Sequence, residues 1–170
     1  MRLALLALAA AALAAAAGPG DADAELREAC GRGAAQEVLE LLGHGASPHS
    51  ATADGERPLH LACIGGDAAI VSMLVEAGAD PNARATGPSS LRMTALTWCA
   101  YAGHHEAIGV LIDAGAAVNL VVDREDGALL TALDIADSIG DRGERSAALL
   151  RKAGAKSAAA FGDAKAGKAR

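Results

Sequence analysis

Aromatic residues are nearly absent: Trp98, Tyr101 and Phe161 are the only three in 170 residues. A core built on large rings is therefore excluded. No run of apolar residues reaches the ~20 needed to cross a bilayer; the longest uncharged apolar run near the start, Leu3 to Ala17, has 15. Positive charge is in deficit, 15 Lys and Arg against 21 Asp and Glu, a net −6 that argues against a general nucleic-acid binder. Nucleophile, phosphate and zinc signatures of the forms G-x-S-x-G, G-x-x-x-x-G-K and H-E-x-x-H are missing. What abounds is alanine, 45 residues within a 52% hydrophobic composition. Alanine has the highest helix propensity and the least bulk, so close-packed helices are predicted.

The opening segment has the order of an export signal. Arg2 gives a positive start, Leu3 to Ala17 an apolar run, Ala15 and Ala17 a small-residue exit, and Gly18-Pro19-Gly20 a break. Residues 1–17 are expected to be a signal peptide and 18–22 a linker. The expected location is the bacterial periplasm or the secreted fraction, with a eukaryotic secretory lumen as the alternative.

Four segments then repeat. Gly33, Gly66, Gly103 and Gly140 are spaced by 33, 37 and 37 residues, and Gly45, Gly78, Gly115 and Gly154 by 33, 37 and 39. Leu26, Leu59, Leu96 and Leu133 keep the same register, as do Leu41, Leu74, Leu111 and Leu150. Within a unit, Pro58 to Cys63 starts a helix where the missing proline N–H costs nothing. Gly65-Gly66 ends it, because glycine accepts the left-handed conformation. Ala69 to Val75 makes a second helix, and Gly78 to Ala83 turns the chain outward. One such hairpin cannot bury its apolar side alone; stacked neighbours can.

Gly55 to Asn82 resembles the ankyrin repeat, G-x-T-P-L-H-x-A-A-x-x-G-H followed by V-V-x-x-L-L-x-x-G-A-D-x-N. Met93 to Asn119 resembles it again, Thr131 to Ala155 is similar to a terminal version, and Glu25 to His49 to a divergent first one. The resemblance implies an all-α ankyrin-repeat solenoid of stacked helix-turn-helix units with projecting loops. Its four repeats would lie at about 23–52, 53–90, 91–127 and 128–155. Arg57 stands where the family has Thr, and Ala95 and Ala132 where it has Pro, so frayed helix starts are expected there. The family's Pro-Leu-His position falls on His60, implying a structural hydrogen bond to the neighbouring loop, and its Gly-His turn falls on His104. At the far edge the column Leu42, Val75, Ile112 becomes Arg151, as a polar closing helix requires. Residues 156–170 read as a basic disordered tail.

Cys30, Cys63 and Cys99 are expected to be three buried thiols. Helices packed side by side stand ~8–10 Å apart, and a disulfide needs Cα atoms within about 7 Å. His44 and His49 share a loop, but two histidines without further ligands make a poor metal site. No metal, cofactor or catalytic role is assigned, and the chain is expected not to be an enzyme.

The function left is recognition. The resemblance implies a concave face made of the first helices and loop tips, and the contact candidates are Glu56, Ile64, Arg92, Met93, Tyr101 and Ser138. Ile64, Tyr101 and Ile139 would form an apolar row, while Trp98 shares a column with Leu61 and Ile135 and reads as framework. Two loops exceed the 33-residue period. Ala85 to Arg92 is one; Val121 to Leu129 is the other, able to extend as a hairpin and adding Asp123, Arg124, Glu125 and Asp126 as candidates. The expectation is an exported, monomeric module binding another protein. The alternative is a periplasmic accessory in peroxide or redox stress protection, which would need exposed cysteine chemistry.

Overall fold

The computed structural model describes residues 19–87, 92–123 and 129–161. The expected signal peptide lies outside them, as do Arg124, Glu125 and the side chain of Asp123. Eight α-helices among the described residues pair into four hairpins. The first is α1 (Pro19–Arg32) with α2 (Ala35–Gly43), the second α3 (Pro58–Gly65) with α4 (Ala68–Glu76). The third is α5 (Ala95–Ala102) with α6 (His105–Asp113). The fourth is α7 (Ala132–Ser138) with α8 (Glu144–Lys152), joined through a 3-10 turn at Gly140–Gly143. The stretch expected to be a linker is mostly helical, since α1 begins at Pro19.

Helices α1, α3, α5 and α7 stack in an inner row, and α2, α4, α6 and α8 in an outer one. Between the rows lie the fully buried Leu26, Leu59, Ile70, Leu74, Ile108, Leu111 and Leu150, the last five being outer-helix residues. Each such side chain contributes roughly 1.5–3 kcal/mol by leaving water. The result is the all-α stack that the repeat pattern predicts. The single sheet among the described residues is an antiparallel pair, β1 (Val122–Asp123) with β2 (Leu129–Leu130), so the long loop after the third unit does extend as a hairpin.

Two glycines show how tight the inner row is. A Cβ on Gly65 would stand 3.0 Å from the Cys30 carbonyl oxygen and 3.1 Å from that of Gly31. Gly66 closes α3 at φ 82°, and the His104 ring lies across it where a side chain would point.

The inner-helix starts are fastened rather than frayed, by a different side chain in each unit. In the third, Thr97 Oγ1 accepts from the Thr94 N–H at 2.8 Å, and Thr94 caps Thr97 in return. In the fourth, the Asp134 carboxylate accepts from the Thr131 N–H at 2.8 Å. In the second, a guanidinium at Arg57 can accept nothing, so the His60 backbone N–H donates to the Arg57 carbonyl instead, at 2.9 Å. His60 Nδ1 accepts the Arg57 N–H at 3.0 Å, which leaves the ring proton on Nε2 to donate to Ala83 O at 3.1 Å. His60 is thus the bridge from helix to loop that the resemblance implies.

Successive loops are held by a repeated asparagine clasp. Asn82 Nδ2 donates to Gly115 O at 3.4 Å, and Asn82 Oδ1 accepts from the Ala117 N–H at 2.7 Å. Asn119 does the same with Gly154 O at 3.3 Å and the Lys156 N–H at 2.8 Å. The segment expected to be disordered from Lys156 therefore begins bonded to the array. The Ala158 N–H also donates to Asp134 Oδ2 at 2.8 Å, and Ala158 is buried. Residues 162–170 lie outside the described residues.

The three-thiol expectation is corrected. Cys63 of α3 and Cys99 of α5 form a disulfide, with their Cα atoms 4.6 Å apart, and only Cys30 is free. The error lay in equating the spacing of helix axes with the spacing of facing atoms. Cα atoms lie ~2.3 Å from their own axis, so axes ~9 Å apart leave facing Cα atoms only ~4.4 Å apart. Cys63 aligns with Ala100 and Cys99 with Ala62, and this one-residue offset turns Cys63 toward the following unit and Cys99 toward the preceding one. All three cysteines are wholly buried. Burial pushes the Cys30 thiol up to about 12, which suppresses its reactive thiolate. By loop-closure entropy a bridge across 36 residues stabilises the fold by up to roughly 4 kcal/mol.

Alkylation without reductant should modify no thiol in the folded protein and one, Cys30, after denaturation; reduction under denaturant should raise the count to three. Mass spectrometry reads each number directly. Three reactive thiols without reductant would contradict the bridge. Burial also holds the His60 imidazole below histidine's ordinary range, with Arg57 acting in the same sense and the bond to Ala83 O opposing it. Protonation would add an N–H at Nδ1 facing the Arg57 N–H. The unfolded chain binds that proton more readily, so this contribution is complete above pH ~6.5 and is lost as pH falls below it. Urea midpoints should therefore drop between pH 7 and 5.5. His60→Gln, which keeps an acceptor, should flatten that slope while lowering stability throughout.

Candidate protein-binding face

The outward side of the inner helices is set by two columns three residues apart. One runs Gly31, Ile64, Tyr101, Ser138 and the other Glu28, Leu61, Trp98, Ile135. Ile64 and Tyr101 stand 45% and 57% exposed, and with Leu39 on α2 they are the large exposed apolar side chains among the described residues. Exposure of a tyrosine and an isoleucine one unit apart costs solvation and contributes nothing to the core. Tyr101 is held from behind by Trp98, edge to face, with ring centroids 6.3 Å apart.

A recess of about 380 Å³ opens beside this pair, between the third and fourth units. Met93, Trp98 and Tyr101 line one side, Ile135 and Ser138 of α7 the other, and Val122 and Leu130 of the hairpin close the end. The extra residues of the third loop thus supply a wall that a bare repeat would lack. The lining is mostly apolar. The Ser138 hydroxyl donates back to Ile135 O at 2.7 Å, as a serine in a last helical turn often does. Trp98 Nε1 is buried with no hydrogen-bond partner.

Two arginines neighbour residues that line the recess. Arg92 is exposed beside Met93, at φ 53°, the one non-glycine residue with a left-handed backbone among the described residues. Arg142 lays its stem over Gly103 and reaches the Tyr101 carbonyl at 3.5 Å. Neither has a carboxylate partner among the described residues. By contrast, Arg151 neutralises Asp137 at 2.6 Å and Arg32 pairs with Glu37 at 3.0 Å.

The sequence-predicted contacts are divided by this geometry. Ile64, Arg92, Tyr101 and Ser138 are exposed on or beside the inner face. Met93 is only 5% exposed and forms recess lining rather than free surface. Its carbonyl accepts from the Ala85 N–H at 3.1 Å, which fixes the loop. Glu56 is half-buried in a turn, its N–H donating to Thr52 Oγ1 at 3.1 Å. Asp123 sits in β1 opposite Leu129, while Arg124, Glu125 and Asp126 lie outside the described residues. Trp98, read as framework, is a half-buried wall of the recess; Leu130, a changeable position of the fourth unit, lines it too, and Val122 was missed as a binding residue. A signal for Val122 existed in the apolar start of the inserted loop. His44 and His49 are both exposed, and among the described residues no three His, Cys, Asp or Glu converge to hold a metal. No described helix is long and apolar enough to cross a membrane.

The family profile described as Ankyrin repeats (3 copies) matches residues 26–122. Among characterised proteins, the transient receptor potential channel pyrexia of Drosophila melanogaster is 33% identical over 104 residues. That match takes in 61% of this chain and 10% of the channel, so the chain spans about a tenth of that relative's length. Stacked hairpins, left-handed glycine caps, asparagine clasps and the profile match agree, and the chain belongs to the ankyrin-repeat family.

Proposed function

We propose that this chain is an exported ankyrin-repeat adaptor, monomeric by itself, that binds another protein through its concave inner face and has no catalytic activity of its own. The observation that carries the reading is the exposed row Ile64 and Tyr101, which the fold leaves uncovered although both are bulky and apolar. Tyrosine with an aromatic partner behind it is the kind of anchor on which binding energy concentrates. Ankyrin repeats are protein-interaction modules as a class, which agrees with the same assignment.

Export is supported by two unrelated features. Residues 1–17 have the order of a secretory signal, and the Cys63–Cys99 bridge belongs in an oxidising compartment. The periplasm or the secreted fraction fits both; a eukaryotic secretory lumen fits them as well. The redox-protection alternative is disfavoured by burial, because reactive cysteine chemistry requires an accessible thiolate and none of Cys30, Cys63 and Cys99 reaches solvent.

Immobilised mature chain, mixed with extract of the exporting host's own compartment, should retain a discrete partner. The double variant Ile64→Glu with Tyr101→Glu, which replaces two exposed side chains, should fold normally and lose at least tenfold in affinity for it. Equal retention by both forms would move the binding site off this face.

A further inference from the structure

We propose that the recess between the third and fourth units is a socket for one bulky apolar side chain carried on an acidic, extended segment of the partner. This rests on the concave-face reading and narrows it to a chemistry. Several observations converge. The lining of Met93, Trp98, Tyr101, Ile135, Val122 and Leu130, with Ser138 at one side, is mostly apolar, so an apolar side chain suits it best. Its volume of about 380 Å³ admits a side chain as large as tryptophan.

The apolar surface also continues past the socket. Tyr101 leads one repeat step along the face to the exposed Ile64, and a strand laid across the units would cover both. A compact small molecule would fill the recess and leave Ile64 bare; an extended chain accounts for the whole row. Charge then selects the kind of chain. Arg92 is exposed beside Met93, and Arg142 lies against the Tyr101 carbonyl. Asp137, Asp141 and Glu144 line a separate recess together with Arg151. The chain carries −6 overall, yet Arg92 and Arg142, which neighbour the lining residues Met93 and Tyr101, have no carboxylate partner among the described residues, so acidic flanks on the ligand are complementary to them. The unpartnered Trp98 N–H supplies a donor that a main-chain carbonyl of the docked strand can accept once the wall adjusts.

The test uses the full oxidised chain and three synthetic peptides, read by fluorescence anisotropy. One peptide carries a single tryptophan between pairs of acidic residues, the second replaces the acids by lysines, and the third replaces the tryptophan by alanine. The acidic tryptophan peptide should bind at least tenfold tighter than either counterpart, and more weakly as salt rises. Ser138→Trp, at an exposed position on the recess wall, should fill the socket and weaken binding on the order of tenfold. Arg142→Glu should slow association and flatten the salt dependence. Circular dichroism and thermal melting of each variant separate these losses from misfolding. Equal binding of the lysine peptide, indifference to Ser138→Trp, or no binding by any peptide would overturn the socket. Natural-partner retention that is lost in the Ile64→Glu, Tyr101→Glu double variant but unchanged in Ser138→Trp would sink the socket alone and leave the concave-face reading standing.

Discussion

Neighbouring units can share one core only if their inner helices lie almost backbone to backbone. The 4.6 Å between the Cα atoms of Cys63 and Cys99 measures that constraint, and Gly65 against the Cys30 carbonyl measures it again. Much of the sequence follows from it. Alanines at 29, 62, 100 and 136 are fully buried where anything larger would push the units apart. With so little side chain between inner helices, the bulk of the apolar burial shifts to the seam with the outer row, where Ile70, Leu74, Ile108, Leu111 and Leu150 sit. A protein with three aromatic residues can therefore hold a dry core, because shape rather than size does the packing.

Close packing leaves polar groups little freedom, and each inner-helix start is solved with different chemistry at one position. His60, Thr97 and Asp134 share a column, and each accepts the N–H three residues before it. They differ in what else they reach. His60 donates its Nε2–H to the loop of its own unit, while Asp134 accepts from the N–H of Ala158 and so ties down the chain after the last helix. The loop clasps are less evenly distributed. Asn82 and Asn119 bind the loop ahead through both amide atoms, whereas His49 stands in that position in the first unit and its backbone N–H turns to Ser47 Oγ. The first two units rely correspondingly more on helix contact.

Glycine spacing and leucine columns were enough to read the stack of helical hairpins, because a repeated backbone need imposes a repeated residue. The hairpin at the third loop was legible too, though its pairing runs through Leu130, one residue beyond the expected end. The disulfide was not legible, since a column names a face of a helix and not the distance to what lies opposite. Trp98 packs against the core, as its column with Leu61 and Ile135 implies, and the inserted strands make it a wall of the recess as well. Met93, expected as a surface contact, is buried in the recess wall, where its carbonyl accepts from the Ala85 N–H. Features that repeat can be inferred from one another; features made by a departure from the repeat need coordinates.

The Cys63–Cys99 bridge also changes how the array would yield to force. A stacked solenoid pulled by its ends can peel unit by unit, since each unit contacts only its neighbours. Here the 36-residue span between the sulfurs cannot be drawn out, which withholds on the order of 120 Å of extended chain. Oxidised, the molecule would lengthen only from its flanks and keep a short knotted middle. Reduced, it would pay out its whole contour, so thiol chemistry sets the reach of a tethered chain without altering its resting shape.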